Sequence, residues 1–219
     1  MSDDEALRRS VIAAAISTNT LGINHGTAGN VSLRHGDGFL VTPSGIAYDE
    51  MTPDQVVAVD LDGNWSGDWL PSSEWRMHRD IYASRPEAMA VVHVHSTHAT
   101  ALACLRRGIP AFHYMVAAAG GDQILCAPYA TFGTEELSQA MIAALGPRRA
   151  CLLANHGQIV YGPTLKKAVA LAVEVEALAH QYLITLQAGT PAVLDKAEMA
   201  RVIEKFKTYG KQKDAGSAD

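Results

Sequence analysis

Residues 88–96 read AMAVVHVHS, a short apolar run that ends in two alternating histidines. The run from Ala88 to Val94 predicts a buried strand, because apolar runs of this length are typical of strands covered on both faces. Side chains alternate along a strand, so His93 and His95 point the same way about 7 Å apart. They are therefore candidate ligands of one metal ion, although alternating histidines also occur as hydrogen-bonded groups on a half-polar strand.

Helical patterns flank this strand. Helices are predicted at 2–21, from Ser72-Ser73-Glu74 to Arg85-Pro86, and at 96–106, 134–145, 164–188 and 193–209. Short apolar runs separated by turn residues predict antiparallel hairpins within 24–69 and again at 151–161, around Asn155-His156-Gly157. This order predicts a single three-layer α/β/α domain with a largely antiparallel central sheet, and fits a doubly wound parallel sheet less well.

Composition narrows the classes of partner. The 219 residues carry a net charge of −5 with no basic stripe, which argues against a nucleic-acid partner. The longest uninterrupted apolar runs, such as Ala168 to Val173, are far short of the about 20 residues that span a bilayer, so no membrane partner is expected. An acidic N-terminus without a signal-peptide pattern and three cysteines without metal-site spacing predict a cytoplasmic protein.

Predicted turns and helix starts contain further residues that could bind a metal ion or an anion. His156 lies in a tight turn and is a candidate third metal ligand; Glu74, at a helix start, is typical of a capping residue unless it lies beside the histidines. Three clusters of small residues offer hydroxyl, amide and backbone N–H groups to an anion, although each is also typical of an ordinary turn. They contain Thr27, Gly29 and Asn30, then Ser44 and Gly45, then Ser72 and Ser73.

Several segments together resemble one family, the class II aldolase/adducin family. They are GTAGNVS (26–32), TPSG (42–45), LPSSEWRMH (70–78), VVHVHS (91–96), the long stretch 109–137, ANHG (154–157) and EKFKTYG (204–210). The resemblance runs in order from about residue 6 to residue 210, nearly the whole chain. It implies that 1–210 form a class II aldolase-like catalytic domain, and 211–219 are expected to be a polar, disordered tail.

The resemblance also implies an activity. The expected enzyme is a zinc-dependent aldolase, with Mn²⁺ or Co²⁺ as alternative ions, that cleaves a 2-ketose 1-phosphate to dihydroxyacetone phosphate and an aldehyde. The substrate would be L-fuculose 1-phosphate or a 5-deoxy or 5-methylthio pentulose 1-phosphate. All seven lysines lie at or after Lys166, so no Schiff-base lysine is evident and a metal is the expected electron sink.

The same resemblance implies roles for individual residues of the active site. His93, His95, His156 and Glu74 would hold the metal, Glu74 would also be the acid/base, and the seven small residues above would bind the substrate phosphate. Tyr114 would donate a proton on the aldehyde side from a neighbouring subunit of a homotetramer, with Phe132, Phe206 and Tyr209 completing that pocket. Without the resemblance, Tyr114 would be read as a packed aromatic, and Phe206 and Tyr209 as an apolar helix face.

Other activities of the family remain open from the sequence. A pentulose-phosphate 4-epimerase is disfavoured by Glu74, where that type carries Asp. A methylthioribulose-1-phosphate dehydratase shares the ligands and a glutamate, and a decarboxylase of sugar-acid phosphates is a further alternative. A metal-free adducin-like binding module is disfavoured because all three histidines and Glu74 are present.

Overall fold

The predicted strand near residues 88–94 occupies the middle of a seven-stranded sheet. The computed structural model describes residues 3–208. The strands are β1 (Asn30–His35), β2 (Gly38–Val41), β3 (Val57–Asp60), β4 (Ala90–Val94), β5 (Cys126–Ala127), β6 (Ala150–Leu153) and β7 (Gly157–Gly162). Their spatial order is β3-β2-β1-β4-β7-β6-β5, and neighbouring strands are antiparallel except β5 and β6.

Helices cover both faces of this sheet. They are α1 (Asp3–Thr20), α2 (Trp75–Ser84), α3 (Thr97–Cys104), α4 (Glu135–Leu145), α5 (Leu165–Ala188) and α6 (Lys196–Phe206), with short 3₁₀ helices at Pro53–Gln55 and Tyr114–Ala119. Helices α1, α3 and α5 bury their apolar side chains in one core, and α2 and α4 bury theirs in another. The predicted three-layer α/β/α fold with a largely antiparallel sheet is confirmed.

Strand β4 contributes to both cores because its side chains alternate between the two faces of the sheet. Val92 and Val94 pack with α5, whereas Val91 packs on the other face with α2. Each is at most 1% exposed, and burial of such a side chain contributes about 1.5–3 kcal/mol. The same alternation places His93 on the α2 face of the sheet, where Glu74 precedes the helix.

One helix in residues 3–208, α5, is long and apolar enough to cross a membrane by length and composition alone. It lies instead against β4, β7 and α3, and its inward side chains, among them Leu171 and Val175, are part of the core. Helix α5 is therefore a core helix of an α/β fold.

Two elements between α3 and α4 were not predicted. The two-residue strand β5 pairs in parallel with β6, and the 3₁₀ helix at Tyr114–Ala119 begins after His113, whose ring accepts a hydrogen bond from the Met115 amide. Neither is long enough to show a periodic pattern of apolar residues. Tyr209 and the predicted disordered tail at 211–219 lie outside the described residues.

Candidate active site

Three histidines converge at one end of the central strands, where β4 ends beside the turn between β6 and β7. His93 and His95 come from β4 and the residue after it, and His156 comes from the turn. The three rings lie 4.8–4.9 Å apart, centroid to centroid. One nitrogen from each ring and one Glu74 oxygen all lie within 4.8 Å of one another. The structure thus brings together the four residues predicted to hold a metal.

Local backbone geometry places His156 close to β4. Strand β7 pairs with β4, which brings the preceding turn beside His95. Asn155 adopts the left-handed conformation, with φ of 55°, which asparagine tolerates better than most residues. A Cβ atom on Gly157 would lie 2.6 Å from the Val94 carbonyl oxygen, so only glycine allows this close approach.

Glu74 occupies the N-cap position of α2, but its side chain makes no capping hydrogen bond. The carboxylate turns towards the histidines instead. Its Oε2 lies 3.1 Å from His93 Nε2 and its Oε1 lies 3.2 Å from His156 Nε2. The Asn30 amide also donates to Oε2, at 3.1 Å. Glu74 is 6% exposed, so the interpretation as a solvent-facing capping residue does not describe this side chain.

Hydrogen bonding sets the orientation of the His93 ring. Its Nδ1 lies 2.8 Å from the carbonyl oxygen of Gln158, which can only accept, so Nδ1 carries a hydrogen. The other nitrogen, Nε2, faces His95 Nε2 at 3.0 Å and the Glu74 carboxylate. A histidine that donates one N–H to a backbone carbonyl and turns its other nitrogen inward is typical of a metal ligand.

Burial and the close approach of the four side chains shift the pKa values of the cluster. Burial alone would lower the pKa of His93, but the charge and hydrogen bond of Glu74, together with the hydrogen bond to the Gln158 backbone, raise it. Burial would raise the pKa of Glu74, yet the charges and hydrogen bonds of His93 and His156 bring it well below its ordinary value. Burial and the charges of His93 and His156 lower the pKa of His95 to about 4. The cluster thus retains an ionised carboxylate and one favoured proton site.

The nitrogen and oxygen atoms of this cluster suit a divalent cation. Neutral imidazole nitrogens and a carboxylate oxygen point at one another, and a pair of facing acceptors needs a cation or a proton between them. Glu74 Oε1 is buried and makes no aligned hydrogen bond within the described chain. Three imidazoles and one carboxylate are a donor set that zinc accepts in proteins. His93, His95, His156 and Glu74 therefore could hold the metal on which the family's chemistry depends.

Metal affinity is expected to fall as the pH is lowered. Because the pKa of His93 is raised, a metal ion must displace a proton from the cluster, and apparent affinity should drop about tenfold per pH unit below that pKa. His95, with a pKa of about 4, does not compete near neutral pH. A competition titration with a chromophoric chelator at several pH values measures this slope. An affinity independent of pH below neutrality would contradict the proton displacement.

A cavity of about 310 Å³ opens beside the cluster. It is lined by Glu74, His95 and His156 and by the seven residues predicted to bind phosphate: Thr27, Gly29, Asn30, Ser44, Gly45, Ser72 and Ser73. Tyr129, Phe132 and Asn155 line it as well. The structure thus places the small-residue clusters and the metal candidates around one space, as a substrate bound by both requires.

Phe132 was expected to come from a neighbouring subunit. It lines the cavity of its own chain and is 64% exposed, and its contribution to the site of a neighbouring subunit stays a prediction. Tyr129, 55% exposed on the same rim, was missed by sequence reasoning. The family-specific stretch 109–137 contains both aromatics, and that was the available signal.

The loop at 26–30 is held by two side chains that the sequence did not single out. The Tyr48 hydroxyl donates to the carbonyl oxygens of Ala28 and Gly29, at 3.1 and 2.8 Å. The Asn24 amide donates to the Ala28 carbonyl as well. Burial raises the pKa of Tyr48 far above its ordinary value, so the hydroxyl remains a donor. Both act on backbone atoms, and isolated polar residues give no motif that would reveal this.

Gly29 is expected to be irreplaceable in this loop. Its φ is +75°, and an added Cβ would lie 2.5 Å from the His93 carbonyl oxygen and 2.9 Å from Asn24 Oδ1. Gly29→Ala should therefore carry the left-handed penalty, about 1–2 kcal/mol, and a steric cost of about 1–3 kcal/mol. Gly26→Ala is the matched control, because Gly26 also has positive φ but open space around it. Equal losses of stability in urea unfolding would contradict the close approach.

Tyr114 and Phe206 do not line this cavity within the described chain. Tyr114 is 51% exposed and lies with Phe206 in a second, apolar groove, their ring centroids 6.5 Å apart. This groove runs between the segment 112–115 and α6. The assignment of both residues to the site of a neighbouring subunit stays a prediction, as does that of Tyr209.

The chain is similar along nearly its whole length to several proteins that are named aldolases. The chain is 57% identical over 205 residues to the 5-methylthioribulose-1-phosphate/5-deoxyribulose-1-phosphate aldolase of Rhodospirillum rubrum, covering 94% of this chain and 93% of that protein. It is 53% identical over 205 residues to the L-fuculose phosphate aldolase of Escherichia coli strain K12, covering 93% and 95%. A solved structure of an L-fuculose 1-phosphate aldolase matches with a TM-score of 0.90 at 40% identity, covering 94% and 98%.

The family model described as Class II Aldolase and Adducin N-terminal domain matches residues 9–183, most of the chain. Both relatives are named aldolases and align over nearly their full lengths. The protein therefore belongs to the class II aldolase and adducin family, and it is an aldolase of the fuculose-phosphate and methylthioribulose-phosphate type.

Proposed function

We propose that the protein is a zinc-dependent aldolase that cleaves a 2-ketose 1-phosphate to dihydroxyacetone phosphate and an aldehyde. One observation carries this proposal: a single cavity is lined both by the histidine and glutamate cluster and by the small-residue clusters. A substrate whose phosphate and carbonyl lie a few bonds apart can reach both. The cavity of about 310 Å³ lies at the small end of ligand pockets and suits one sugar phosphate.

Zinc is the proposed ion, held by His93, His95, His156 and Glu74, with Mn²⁺ or Co²⁺ as alternatives. When bound there, a divalent ion supplies Lewis-acid chemistry that stabilises negative charge developing on a ketose oxygen. A Schiff-base mechanism has no support here, because no lysine lines the cavity within residues 3–208. The metal site is therefore the proposed electron sink.

The phosphate is proposed to rest among hydroxyl and amide groups rather than cationic side chains. Thr27, Ser44, Ser72 and Ser73 offer hydroxyls, and Asn30 offers an amide. Gly29 and Gly45 both have positive φ and no Cβ, which lets backbone atoms approach an anion closely. A neutral nest of this kind favours a single small phosphate over a polyphosphate, whose charge would call for Lys or Arg.

Glu74 is proposed as the acid/base. Its Oε2 accepts from Asn30, whereas the buried Oε1 lies 3.2 Å from His156 Nε2 and makes no aligned hydrogen bond within the described chain. Cleavage between C3 and C4 leaves a three-carbon fragment that needs a proton at C3. Glu74 would return that proton and, in the direction of synthesis, remove it.

Tyr114 is proposed to handle the proton on the aldehyde oxygen from a neighbouring subunit of a homotetramer. The Tyr114→Phe variant should lose about a hundredfold in cleavage rate, the range typical of one proton donor. Exchange of the C3 proton of dihydroxyacetone phosphate with solvent, which involves no aldehyde, should change far less. Equal losses in both assays would show that Tyr114 is not specific to the aldehyde half.

The proposed substrates are L-fuculose 1-phosphate and the 5-deoxy and 5-methylthio pentulose 1-phosphates, in keeping with the names of the relatives. The proposed location is the cytoplasm, where such metabolites arise. The test is an assay for dihydroxyacetone phosphate released from each compound, before and after removal of metal by chelation. Chelator-sensitive release, restored by zinc, would support the proposal. No release from any compound by zinc-loaded protein would overturn it in favour of dehydratase or epimerase chemistry.

A further inference from the structure

A buried row of polar side chains leads from Glu74 into the protein, between β1 and α2. Asn30 Nδ2 donates to Glu74 Oε2 at 3.1 Å, and Asn30 Oδ1 lies 2.6 Å from His78 Nε2. His78 Nδ1 lies 2.6 Å from Ser32 Oγ, which lies 2.7 Å from the Tyr82 hydroxyl. Each of the five residues is at most 6% exposed. The family resemblance and the cavity assign no role to His78.

Backbone geometry explains why these side chains meet. Glu74, His78 and Tyr82 are four residues apart, so they lie on one face of α2 at a rise of about 6 Å per step. Asn30 and Ser32 are two residues apart on β1, so they share a face of the sheet at a spacing of about 6.6 Å. The two spacings are close enough for the strand residues to alternate with the helix residues. Each polar group therefore has a partner on either side.

The chemistry of the partners allows one direction of hydrogen bonding. A carboxylate only accepts, so Asn30 must turn its amide nitrogen to Glu74 and its oxygen to His78. His78 must then carry its hydrogen on Nε2, which leaves Nδ1 as an acceptor for the Ser32 hydroxyl. Ser32 in turn accepts from Tyr82. Donors thus point along the row towards Glu74, an arrangement in which each bond polarises the next.

The row is closed off from solvent. The Phe39 ring lies over His78 at 6.5 Å and against Tyr82 at 5.2 Å. Burial, assisted by the charge of His93, lowers the pKa of His78 to about 3, so the ring is neutral at ordinary pH. A neutral, fully buried imidazole with both nitrogens used has one fixed tautomer, and no solvent molecule is needed to complete its bonding.

We infer that His78 is a positioning residue for the proposed acid/base, acting through Asn30. By donating from Nε2 to Asn30 Oδ1, it prevents the amide from rotating and so keeps Nδ2 on Glu74 Oε2. That bond fixes the orientation of the carboxylate, with Oε2 held by Asn30 and Oε1 beside His156. Without His78, the amide could turn its oxygen to the carboxylate, where the two acceptors repel. This inference rests on the proposed role of Glu74.

The test compares two replacements of His78. His78→Phe keeps a buried ring but removes both nitrogens, and should slow C3 proton exchange of dihydroxyacetone phosphate by about 10–100-fold, the range for groups that orient functional side chains. His78→Gln can still donate to Asn30 and accept from Ser32, and should recover most of the rate. Equal rates for the two variants would overturn the inference, with thermal unfolding confirming that both fold.

A double-mutant cycle separates positioning from general structural damage. If His78 acts through Asn30, the loss caused by His78→Phe should vanish in an Asn30→Ala background. The same fold loss in both backgrounds would show that His78 acts elsewhere. Wild-type protein that exchanges no proton when loaded with zinc would instead count against the proposed function, and so the two failures are distinguishable.

A second readout needs neither metal nor turnover. In ¹⁵N NMR of metal-free wild-type protein, His78 should show the hydrogen on Nε2, and the Asn30 side-chain amide should shift in His78→Phe but return in His78→Gln. A hydrogen on Nδ1 of His78 would overturn the inference even if the Phe variant did not fold.

Discussion

Replacing Glu74 with Gln should reduce turnover by about 10²–10⁴-fold, the usual contribution of a general acid/base. Gln keeps the volume of the side chain and an oxygen that can accept from Asn30, so the loop and helix geometry should persist. It cannot accept the substrate proton, because a neutral amide is a far weaker base than a carboxylate. The three histidines remain, and zinc should therefore stay largely bound. Turnover and zinc content of the same preparation measure the effect.

The matched control is Glu136→Gln, an exposed carboxylate in the first turn of α4. It removes the same charge away from the cavity and should leave turnover within about twofold, since a helix-end charge contributes about 0.3–1 kcal/mol to stability and nothing to chemistry. Unchanged turnover in Glu74→Gln would remove Glu74 from the mechanism. Loss of zinc together with turnover would make its main role that of a ligand.

His156→Ala should abolish tight zinc binding and lower turnover by about a thousandfold or more. Loss of one of three imidazoles weakens the binding of the ion. The Lewis acidity of a bound ion lowers the activation free energy by several kcal/mol, and each 1.4 kcal/mol changes the rate about tenfold. His156 is the preferred ligand for this test because its side chain is 11% exposed and lies in a turn. His93 is fully buried and bonded to Gln158, so its removal would also damage the core.

Zinc content after dialysis and the rise in unfolding temperature on adding zinc both report on binding, since a ligand that binds only the folded state stabilises it. His25→Ala is the control, an exposed histidine in the loop before Gly26. It should retain both the zinc and the thermal shift. Full zinc occupancy in His156→Ala would contradict a role for His156 as a ligand.

The spacing of apolar residues along the chain predicted most of the strands and helices that the sequence could reveal. The run at 88–94 contains the central strand β4, and the repeat of two residues along a strand predicts that His93 and His95 share one face. Helices in which apolar residues recur over several turns, such as α4 and α5, were predicted with ends within one or two residues of those observed. The two-residue β5 and the six-residue 3₁₀ helix after His113 were missed, since both are too short for a pattern of apolar residues to repeat clearly.

The sequence indicated many of the residues that line the candidate site, but not how they are arranged around it. All seven small residues that the family resemblance assigned to the phosphate line the cavity, and the three clusters that contain them were also visible in the sequence as turns of small residues. Phe132 and Tyr129 belong to the same chain's cavity, which depends on how the loop before α4 lies against the sheet. Tyr48 and Asn24 act on the backbone of a distant loop, and no spacing in the sequence connects them to it.

The sequence by itself determined which residues could bind a metal and which face of a strand two of them share, because alternation along a strand is a local property of the backbone. Only the tertiary structure decided that Glu74 turns from its helix end to the histidines, and that Asn30 and His78 stand behind it. Those contacts join residues 44 and 48 positions apart. They exist because α2 lies over the sheet face that Asn30 and Ser32 share, and packing between distant segments is set by the whole core rather than by any local pattern.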